Sequence, residues 1–239
     1  MTDLLFQTDS YLREFDATVV AANEAAHVVV LDRTAFYPGG GGQPNDTGTL
    51  AAAGVVMPVS RVKRAGGEIR HCLAGEADLP AVGTAIRGQL DWQRRYLLMR
   101  THTALHILCG VVWRDHGAQV TGGNMEPGKG RMDFEFETLR KELVEEIEAS
   151  CNAEVTAARD VRVAILPREQ AFSIPDLIRT KINLLPPAIQ EVRIVELVGL
   201  DLQADGGTHV ANTNEVGRIR ISDYKSKGAI NKRIYITIE

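Results

Sequence analysis

The chain has 239 residues, of which 44% are hydrophobic and 24% are charged, and its formal net charge is −4. This composition is typical of a soluble globular protein with a sizeable core, in one large domain or two of ordinary size. No run approaches the roughly 18 apolar residues of a membrane span, and the acidic balance argues against indiscriminate nucleic-acid binding over the whole surface.

The cysteines and the N-terminus predict a reducing, cytoplasmic setting. Cys72, Cys109 and Cys151 are scattered and odd in number, so a disulfide framework is not expected. The first residues, MTDLLFQTDSYLREFD, are acidic and lack the basic and then apolar pattern of a signal peptide. We expect no association with a membrane.

The first ninety residues read as β structure. Residues 26–38 are apolar and β-branched and end at a proline followed by four glycines, and residues 47–75 are short apolar segments separated by glycines. No apolar stripe at helical spacing appears between Ala17 and Leu90. The pattern predicts a small β-barrel domain over residues 1–90.

The character of the sequence changes at Asp91. Residues 91–117 predict a helix that ends at Gly117, and its apolar stripe comprises Leu98, Thr101, Leu105, Leu108 and Val112.

A mixture of helices and strands follows. Residues 131–137, RMDFEFE, alternate as a half-buried strand should, and residues 161–167, 191–198 and a C-terminal hairpin predict further strands. A second amphipathic helix is predicted over residues 138–160, with Leu139, Leu143, Ile147 and Val155 on one side. The fold class is therefore α+β, with a second domain over residues 91–239 in which an antiparallel sheet packs against helices.

The segment HTALH places His102 and His106 four residues apart in the first predicted helix. Positions i and i+4 share one helix face, so both imidazoles can reach one metal ion. Thr103 stands where a HExxH protease carries its catalytic glutamate, which argues against that class. Alone, the pair is weak evidence for a metal site.

The segment DGGTH strengthens the case for a metal. Asp205 and His209 flank two adjacent glycines, and with His102 and His106 they make a plausible four-ligand tetrahedral set. Cys109 lies about 10 Å along the helix axis from His102, too far to join both helix histidines on one ion, so we expect a core cysteine. The remaining histidines, His27, His71 and His116, are expected to be structural or surface residues.

Several motifs together resemble one family. HTALH, QVTG (119–122), the RMDF strand and QADGGTHV resemble the editing domain of alanyl-tRNA synthetase, and more closely its free-standing AlaX-type relatives. FYPGGGGQPNDTG (36–48) resembles the Gly-rich motif of the same group. The resemblance covers almost the whole chain, and the length is similar to the medium-length, two-domain form.

The resemblance implies a zinc site made of His102, His106 and His209, with Asp205 at the position of the family's fourth ligand, a cysteine. Aspartate is a harder ligand than thiolate. The site could therefore hold Zn²⁺ less tightly, accept another divalent ion, or keep three histidine ligands with Asp205 supporting them.

The resemblance further implies an aminoacyl-tRNA deacylase that hydrolyses tRNA(Ala) carrying the wrong amino acid, serine or glycine. Its catalytic residues would be His102, His106 and His209. Thr121 is a candidate contact to the serine hydroxyl, although a threonine at the end of a strand is an equally good interpretation.

The Gly-rich segment has two interpretations. Gly40, Gly41, Gly42 and Gln43 could border the editing pocket, as the family motif implies, or form an ordinary tight strand connection. A phosphate-binding P-loop is excluded because the Lys-Ser/Thr pair is missing.

Basic residues near the metal-site helix are candidates for contacts to tRNA phosphates. Arg94, Arg95 and Arg100 precede HTALH in the sequence. The C-terminal hairpin adds Arg218, Arg220, Lys225, Lys227, Lys232 and Arg233. Phosphate contacts of this kind position a nucleic acid and do not read its sequence.

Two other functions stay open at this point. One is a non-catalytic module of the same fold that binds tRNA or an amino acid. The other is a metal-dependent hydrolase of a small ester or amide unconnected with tRNA. The sequence gives no indication of the oligomeric state.

Overall fold

The computed structural model describes residues 2–179 and 189–239, which form two compact units, Met1–Leu97 and Leu98–Glu239. The predicted α+β class is confirmed: an N-terminal antiparallel barrel is followed by sheets packed with helices. In this part of the chain no helix is long and apolar enough to cross a membrane.

The first unit is built on a closed six-stranded antiparallel barrel, in the order β2-β3-β7-β6-β5-β8. A short parallel pair, β1 with β4, accompanies it. The strands are β1 (Asp3–Leu4), β2 (Glu14–Asn23), β3 (Val28–Leu31), β4 (Arg33–Thr34), β5 (Gly48–Ala52), β6 (Val55–Ala65), β7 (Glu68–Leu73) and β8 (Ala85–Leu90).

The barrel follows from side chains that alternate between its interior and solvent. Along β8, Ile86, Gly88 and Leu90 are buried while the residues between them are exposed. A Cβ on Gly88 would lie 2.4 Å from the ring of Phe15, so the small residue makes room for that ring on β2. Period-two burial of this kind closes an apolar core inside the barrel.

The Gly-rich segment forms a tight two-residue turn. The backbone N–H of Gly40 donates to the carbonyl of Gln43 at 3.0 Å, and the N–H of Gln43 donates back at 2.8 Å. Gly41 and Gly42 between them have φ values of 56° and 90°. Two successive positive φ values are characteristic of a type I′ turn and explain the glycine pair at this place.

Arg95 is an internal residue of the first unit. Its guanidinium and the carboxylate of Asp46 are 0% and 1% exposed and form an ion pair, and Arg95 also donates to the carbonyls of Ser10 and Ala35. The prediction that Arg95 contacts tRNA phosphates is therefore wrong, because its side chain is 0% exposed and its donors bind acceptors within the first unit.

His71 is buried in the barrel as a structural residue. Its Nε2 lies 2.9 Å from the hydroxyl of Thr34, and its Nδ1 lies 3.3 Å from the carbonyl of Val29. Burial lowers the pKa of His71 from 6.5 to about 4, and the Val29 carbonyl opposes that shift only partly. The ring is therefore neutral at pH 7.

This burial predicts a pH-dependent stability. The unfolded chain binds a proton on His71 near pH 6.5, whereas the folded chain binds it only near pH 4. The stabilising effect of a neutral His71 is therefore fully present above pH 6.5. About 3 kcal/mol of the free energy of unfolding is lost as the pH falls to about 4. Denaturant unfolding at several pH values should show a correspondingly shallower acid dependence for His71→Gln than for the unmodified chain. Identical slopes would contradict the assignment.

Among its described residues, the second unit contains two sheets and most of the helical residues. A four-stranded antiparallel sheet has the order β14-β15-β10-β9, and a three-stranded one has the order β11-β12-β13. The helices are α1 (Trp92–His116), which begins in the first unit, α2 (Lys141–Thr156) and α3 (Arg168–Phe172). The strands are β9 (Val120–Glu126), β10 (Lys129–Glu135), β11 (Val161–Pro167), β12 (Glu191–Leu197), β13 (Asp201–Ala204), β14 (Ile219–Ser226) and β15 (Asn231–Ile238).

The two longer helices differ in how well the sequence predicted them. In α1 the predicted stripe is buried. All the remaining residues of 101–112 are buried too, which makes the middle of this helix a core element. Helix α2 begins at Lys141, so Leu139 lies outside it. Its buried face comprises Val144, Ile147, Cys151 and Glu154, whereas Leu143 and Val155 are only half-buried.

Candidate metal centre

One face of α1 and the loop after β13 bring His102, His106, Asp205 and His209 together. One ligand atom from each of them lies within 4.8 Å of the others. The three imidazole centroids are 4.2–5.0 Å apart. The carboxylate is shared: Asp205 Oδ1 lies 3.6 Å from His102 Nε2, and Oδ2 lies 3.0 Å from His209 Nε2.

Two of these distances are close to those between the ligand atoms of a tetrahedral ion. Bonds of about 2.0–2.1 Å at tetrahedral angles place two ligand atoms about 3.3 Å apart. The two carboxylate–imidazole separations, 3.0 and 3.6 Å, lie on either side of that value. Three nitrogens and one carboxylate are also a donor set that suits Zn²⁺ and other first-row divalent ions.

The electrostatics of the cluster favour an ionised aspartate beside two neutral histidines, His102 and His209. Burial lowers the pKa of His102 to about 4 and that of His209 well below its usual range. Burial also opposes ionisation of Asp205, but the adjacent His102, His209 and His106 outweigh it and hold the pKa of this carboxyl well below its usual range. Metal ligands need these forms, because an imidazolium has no lone pair to give and a neutral carboxyl is a much weaker donor than a carboxylate.

His106 differs from the other two histidines. Burial disfavours its charged form, but a hydrogen bond and the charge of Asp201, with the charge of Asp205 added, outweigh burial and raise its pKa. His106 is therefore the ring in the cluster that takes up a proton most readily.

Backbone and hydroxyl groups hold the loop ligands in place. The N–H of Gly207 donates to Asp205 Oδ2 at 2.7 Å, which closes the tight turn between Asp205 and His209. His209 Nδ1 lies 3.1 Å from the hydroxyl oxygen of Thr103, which also accepts a bond from the N–H of Val210. With Nδ1 so engaged, Nε2 of His209 is the available ligand atom.

Three polar residues around the cluster were not identified from the sequence. Asp201 is buried beside His106, Gln203 lies next to Asp201, and Arg193 is buried with its Nη1 donating to the Asp205 carbonyl at 2.9 Å. One signal was available: Asp201, Gln203 and Asp205 alternate along the sequence, which places them on one side of an extended chain. An arginine inside the apolar run EVRIVELV was a second signal.

The other predicted site residues lie in varied surroundings. Thr121 is exposed on β9 and its hydroxyl donates to Asn231 Oδ1 at 3.0 Å. Arg94 and Arg100 are half-buried and donate to main-chain carbonyls, Arg94 to that of Asn45 and Arg100 to those of Val216 and Glu239.

The basic residues of the C-terminal hairpin are not all available to a ligand. Lys232 is buried, and its ammonium donates to the carbonyls of Gly228 and Ala229. Arg233 pairs with Asp133 through two bonds of 2.6 and 2.7 Å. The prediction of a phosphate contact is therefore wrong for Lys232.

Comparisons with known proteins place the chain in a family. Residues 8–94 match the family model described as tRNA synthetases class II (A), and residues 192–235 match the threonyl and alanyl tRNA synthetase second additional domain. The chain is 41% identical to the alanyl-tRNA editing protein AlaX-M of Saccharolobus solfataricus, over 100% of both chains. It belongs to the AlaX-M family of alanyl-tRNA editing proteins.

Other relatives support the same assignment. An AlaX-M protein of Methanosarcina acetivorans is 38% identical over 100% of this chain and 99% of its own length. The alanine–tRNA ligase of Ignicoccus hospitalis is 38% identical over 92% of this chain, but the match spans only 24% of that enzyme. The predicted resemblance to AlaX proteins is confirmed, and it covers the chain from end to end.

Asp205 is the position at which the AlaX resemblance implies a cysteine, and it can be tested directly. If Asp205 is a ligand, Asp205→Cys should retain the metal or bind it more tightly, because thiolate is a strong zinc ligand. Competition with a chromophoric chelator would measure this, with Asp205→Ala as the variant that cannot ligate. A cysteine variant that loses metal as readily as the alanine variant would show that Asp205 is not equivalent to the family's ligand.

Proposed function

We propose that this protein is a metal-dependent trans-editing deacylase that hydrolyses Ser-tRNA(Ala), with Gly-tRNA(Ala) as a second candidate substrate. The observation that carries the proposal is the buried cluster of three histidines and one aspartate in a chain of the AlaX-M family. The reaction adds water across the ester between the amino acid and the terminal ribose, and releases the free amino acid and the tRNA.

We propose Zn²⁺ as the ion, held by His102, His106, His209 and Asp205. When bound, a divalent ion supplies Lewis acidity: it lowers the pKa of a water and polarises an ester carbonyl. The chain's own contribution is to keep His102 and His209 neutral and Asp205 ionised in a nearly closed site. The side chain of Asp205 is 14% exposed, against 1–8% for the histidines, so we expect substrate to approach from the aspartate side.

Selection of serine over alanine requires a group that recognises one hydroxyl. A site that hydrogen-bonds a hydroxyl rejects an analogue without it, because its own polar group is then left unpaired. We assign this contact to Thr121, whose exposed hydroxyl can exchange its bond to Asn231 for one to a substrate. The Gly-rich turn, with Gly40 and Gly41 exposed and Gln43 buried, is the second candidate for substrate binding.

The tRNA is held, in this proposal, by cations that position its phosphates. Arg94 and Arg100 stay candidates because they are half-buried and belong to the N-terminal half of α1.

We also propose a domain boundary near residue 90, since β8 ends at Leu90 and α1 begins at Trp92. A cytoplasmic location suits three cysteines that are free thiols.

The function is tested by measuring release of serine from Ser-tRNA(Ala), with Ala-tRNA(Ala) and Gly-tRNA(Ala) in parallel, with and without a chelator. Fast loss of serine that the chelator abolishes and added Zn²⁺ restores, with alanine spared, is the expected result. Thr121→Val should lower kcat/KM for the serine substrate and leave metal content unchanged, because it removes a hydroxyl and not a ligand.

The alternative is a non-catalytic module that binds tRNA or an amino acid. It predicts tRNA(Ala) binding with no hydrolysis of any of the three substrates by the metal-loaded protein. A metal-dependent hydrolase of small esters would instead cleave free seryl esters as well as Ser-tRNA(Ala), and would not respond to Arg94→Ala or Arg100→Ala.

A further inference from the structure

One face of β13 carries the polar groups that lie behind the metal ligands. The register of β12 and β13 pairs Leu197 with Asp201 and Val195 with Gln203. The N–H of Asp205 donates to the carbonyl of Arg193 at 3.1 Å, so Asp205 continues the same alternation. Side chains at alternate positions of a strand share a face, so Asp201, Gln203 and Asp205 lie on one side of this sheet.

Helix α1 approaches that face closely at the end occupied by Asp201. A Cβ on Gly110 would lie 2.8 Å from Leu200 Cγ and 3.1 Å from Asp201 Cβ, so only glycine allows this approach. His106, one helical turn earlier, is thereby brought to Asp201, with Nδ1 at 2.9 Å from Oδ2.

The contact determines which nitrogen of His106 can bind a metal. The side chain of Asp201 is 0% exposed, and its Oδ2 is a hydrogen-bond acceptor 2.9 Å from Nδ1 of His106, so the geometry assigns the hydrogen to Nδ1. The lone pair then lies on Nε2. A carboxylate behind a histidine in this way fixes the ring orientation and makes the other nitrogen a stronger donor to a metal.

Gln203 holds Asp201 in this position. Its amide nitrogen lies 2.7 Å from Asp201 Oδ2 and 3.3 Å from Cys109 Sγ, two acceptors that use its two hydrogens. Cys109 is itself buried on α1, three residues beyond His106. Gln203 therefore connects the strand carboxylate to the helix that carries the ligand.

We propose that Asp201, held by Gln203, is a positioning residue that orients His106 and sets its strength as a metal ligand, although no motif of the sequence pointed to it. The inference rests on the metal-binding part of the proposed function. Among the described residues, neither of the other two histidines has a carboxylate on its Nδ1. Nδ1 of His209 lies beside the Thr103 hydroxyl, and the carboxylate that faces His102, that of Asp205, lies at its Nε2. The effect is therefore specific to His106.

The test compares metal affinity in Asp201→Asn and in the unmodified chain. Asparagine keeps the size of the side chain and removes its charge, so Zn²⁺ affinity measured by chelator competition should fall by about tenfold to a hundredfold. With Co²⁺ as the probe, the visible absorption bands should change in position or intensity, because the ring of one ligand is no longer fixed. Gln203→Ala, which leaves the carboxylate in place but unsupported, should show a smaller loss in the same direction.

Glu154→Gln is the matched control. Glu154 is another buried carboxylate of the second unit, but its partners are Arg114 and Arg159 and no histidine. This variant should lower the unfolding temperature and leave Zn²⁺ affinity within about twofold. A general loss of rigidity would lower metal affinity in both variants, whereas loss of orientation lowers it only in Asp201→Asn.

A measurement that needs no variant keeps the proposal testable if Asp201→Asn does not fold. Two-bond nitrogen–proton correlation spectra of the metal-loaded protein should show His106 with its hydrogen on Nδ1. A hydrogen on Nε2 of His106, or an Asp201→Asn variant with unchanged Zn²⁺ affinity and Co²⁺ spectrum, would overturn the proposal. Failure of the unmodified chain to bind any divalent ion would overturn the metal site itself, whereas normal binding without deacylation would overturn only the catalytic function.

Discussion

His106→Ala should remove metal binding and lower deacylation of Ser-tRNA(Ala) on the order of a thousandfold, the scale on which loss of a principal electrostatic stabiliser acts. The substitution deletes one of the four side chains of the cluster and leaves Asp201 buried without the ring that it faces. Metal content by elemental analysis and initial rates with excess Zn²⁺ would measure the two effects.

The matched control is His116→Ala, at the exposed end of the same helix. His116 contacts the ring of Phe136 and takes no part in the cluster, so this variant should keep both metal and activity. Full activity of the His106 variant without metal would overturn the proposed chemistry, because no route through a bound ion would then be needed.

Arg95→Met should destabilise the barrel unit by about 3–5 kcal/mol, the cost of removing one partner from a buried ion pair. The carboxylate of Asp46 would then be left without the Arg95 Nε, which lies 3.0–3.1 Å from its two oxygens. Asp46 would keep the hydrogen bond of 2.6 Å that the N–H of Tyr37 donates to it, but this bond compensates little for the lost positive charge. Denaturant unfolding, followed by a spectroscopic signal from the first unit, would measure the loss in the free energy of unfolding.

Two further variants separate burial from charge. Arg87→Met removes a cation that pairs with Glu14 on the surface, where side chains are 58% and 43% exposed, so it should cost less than about 1 kcal/mol. Arg95→Met combined with Asp46→Leu should recover part of the stability lost in the single variant, because no unpaired charge remains. Equal losses for Arg95→Met and Arg87→Met would contradict the assignment of Arg95 as a buried structural cation.

Local sequence patterns were sufficient to predict individual strands of the fold. Alternation along segments such as Ala85–Leu90 indicates a strand with one face in a core. The closure of the barrel could not be predicted in the same way, since β8 pairs with β2 and with β5, neither of which precedes it directly. Such pairing depends on distant segments and on the shape of the closed sheet.

The metal ligands were predictable because their spacing is local in two places. His102 and His106 share a helix face, and Asp205 and His209 are joined by a turn that two glycines allow. Asp201 and Gln203 are tied to the site by the register between β12 and β13 and by the close approach of α1. Those contacts are tertiary, and the presence of Gln203 in the motif QADGGTHV does not reveal them.

Arg94 and Arg95 show where sequence reasoning about charge fails. Adjacent positions on a helix point about 100° apart, so one of two neighbouring arginines can face the interior while the other borders solvent. The structure buries Arg95 fully and Arg94 only in part. The charge of such a residue could not be assigned to core or surface without the packing partner, Asp46.

The alternation along β13 also limits how this part of the family can change in evolution. Leu202 and Ala204 pack on the opposite face, in the apolar cluster around Val192 and Ile194. Inserting or deleting one residue in the short connection between Leu197 and Asp201 would exchange the two faces, so that polar groups enter the apolar cluster and apolar ones face the histidines. Relatives that bind a metal here should therefore tolerate many substitutions in this connection but conserve its length.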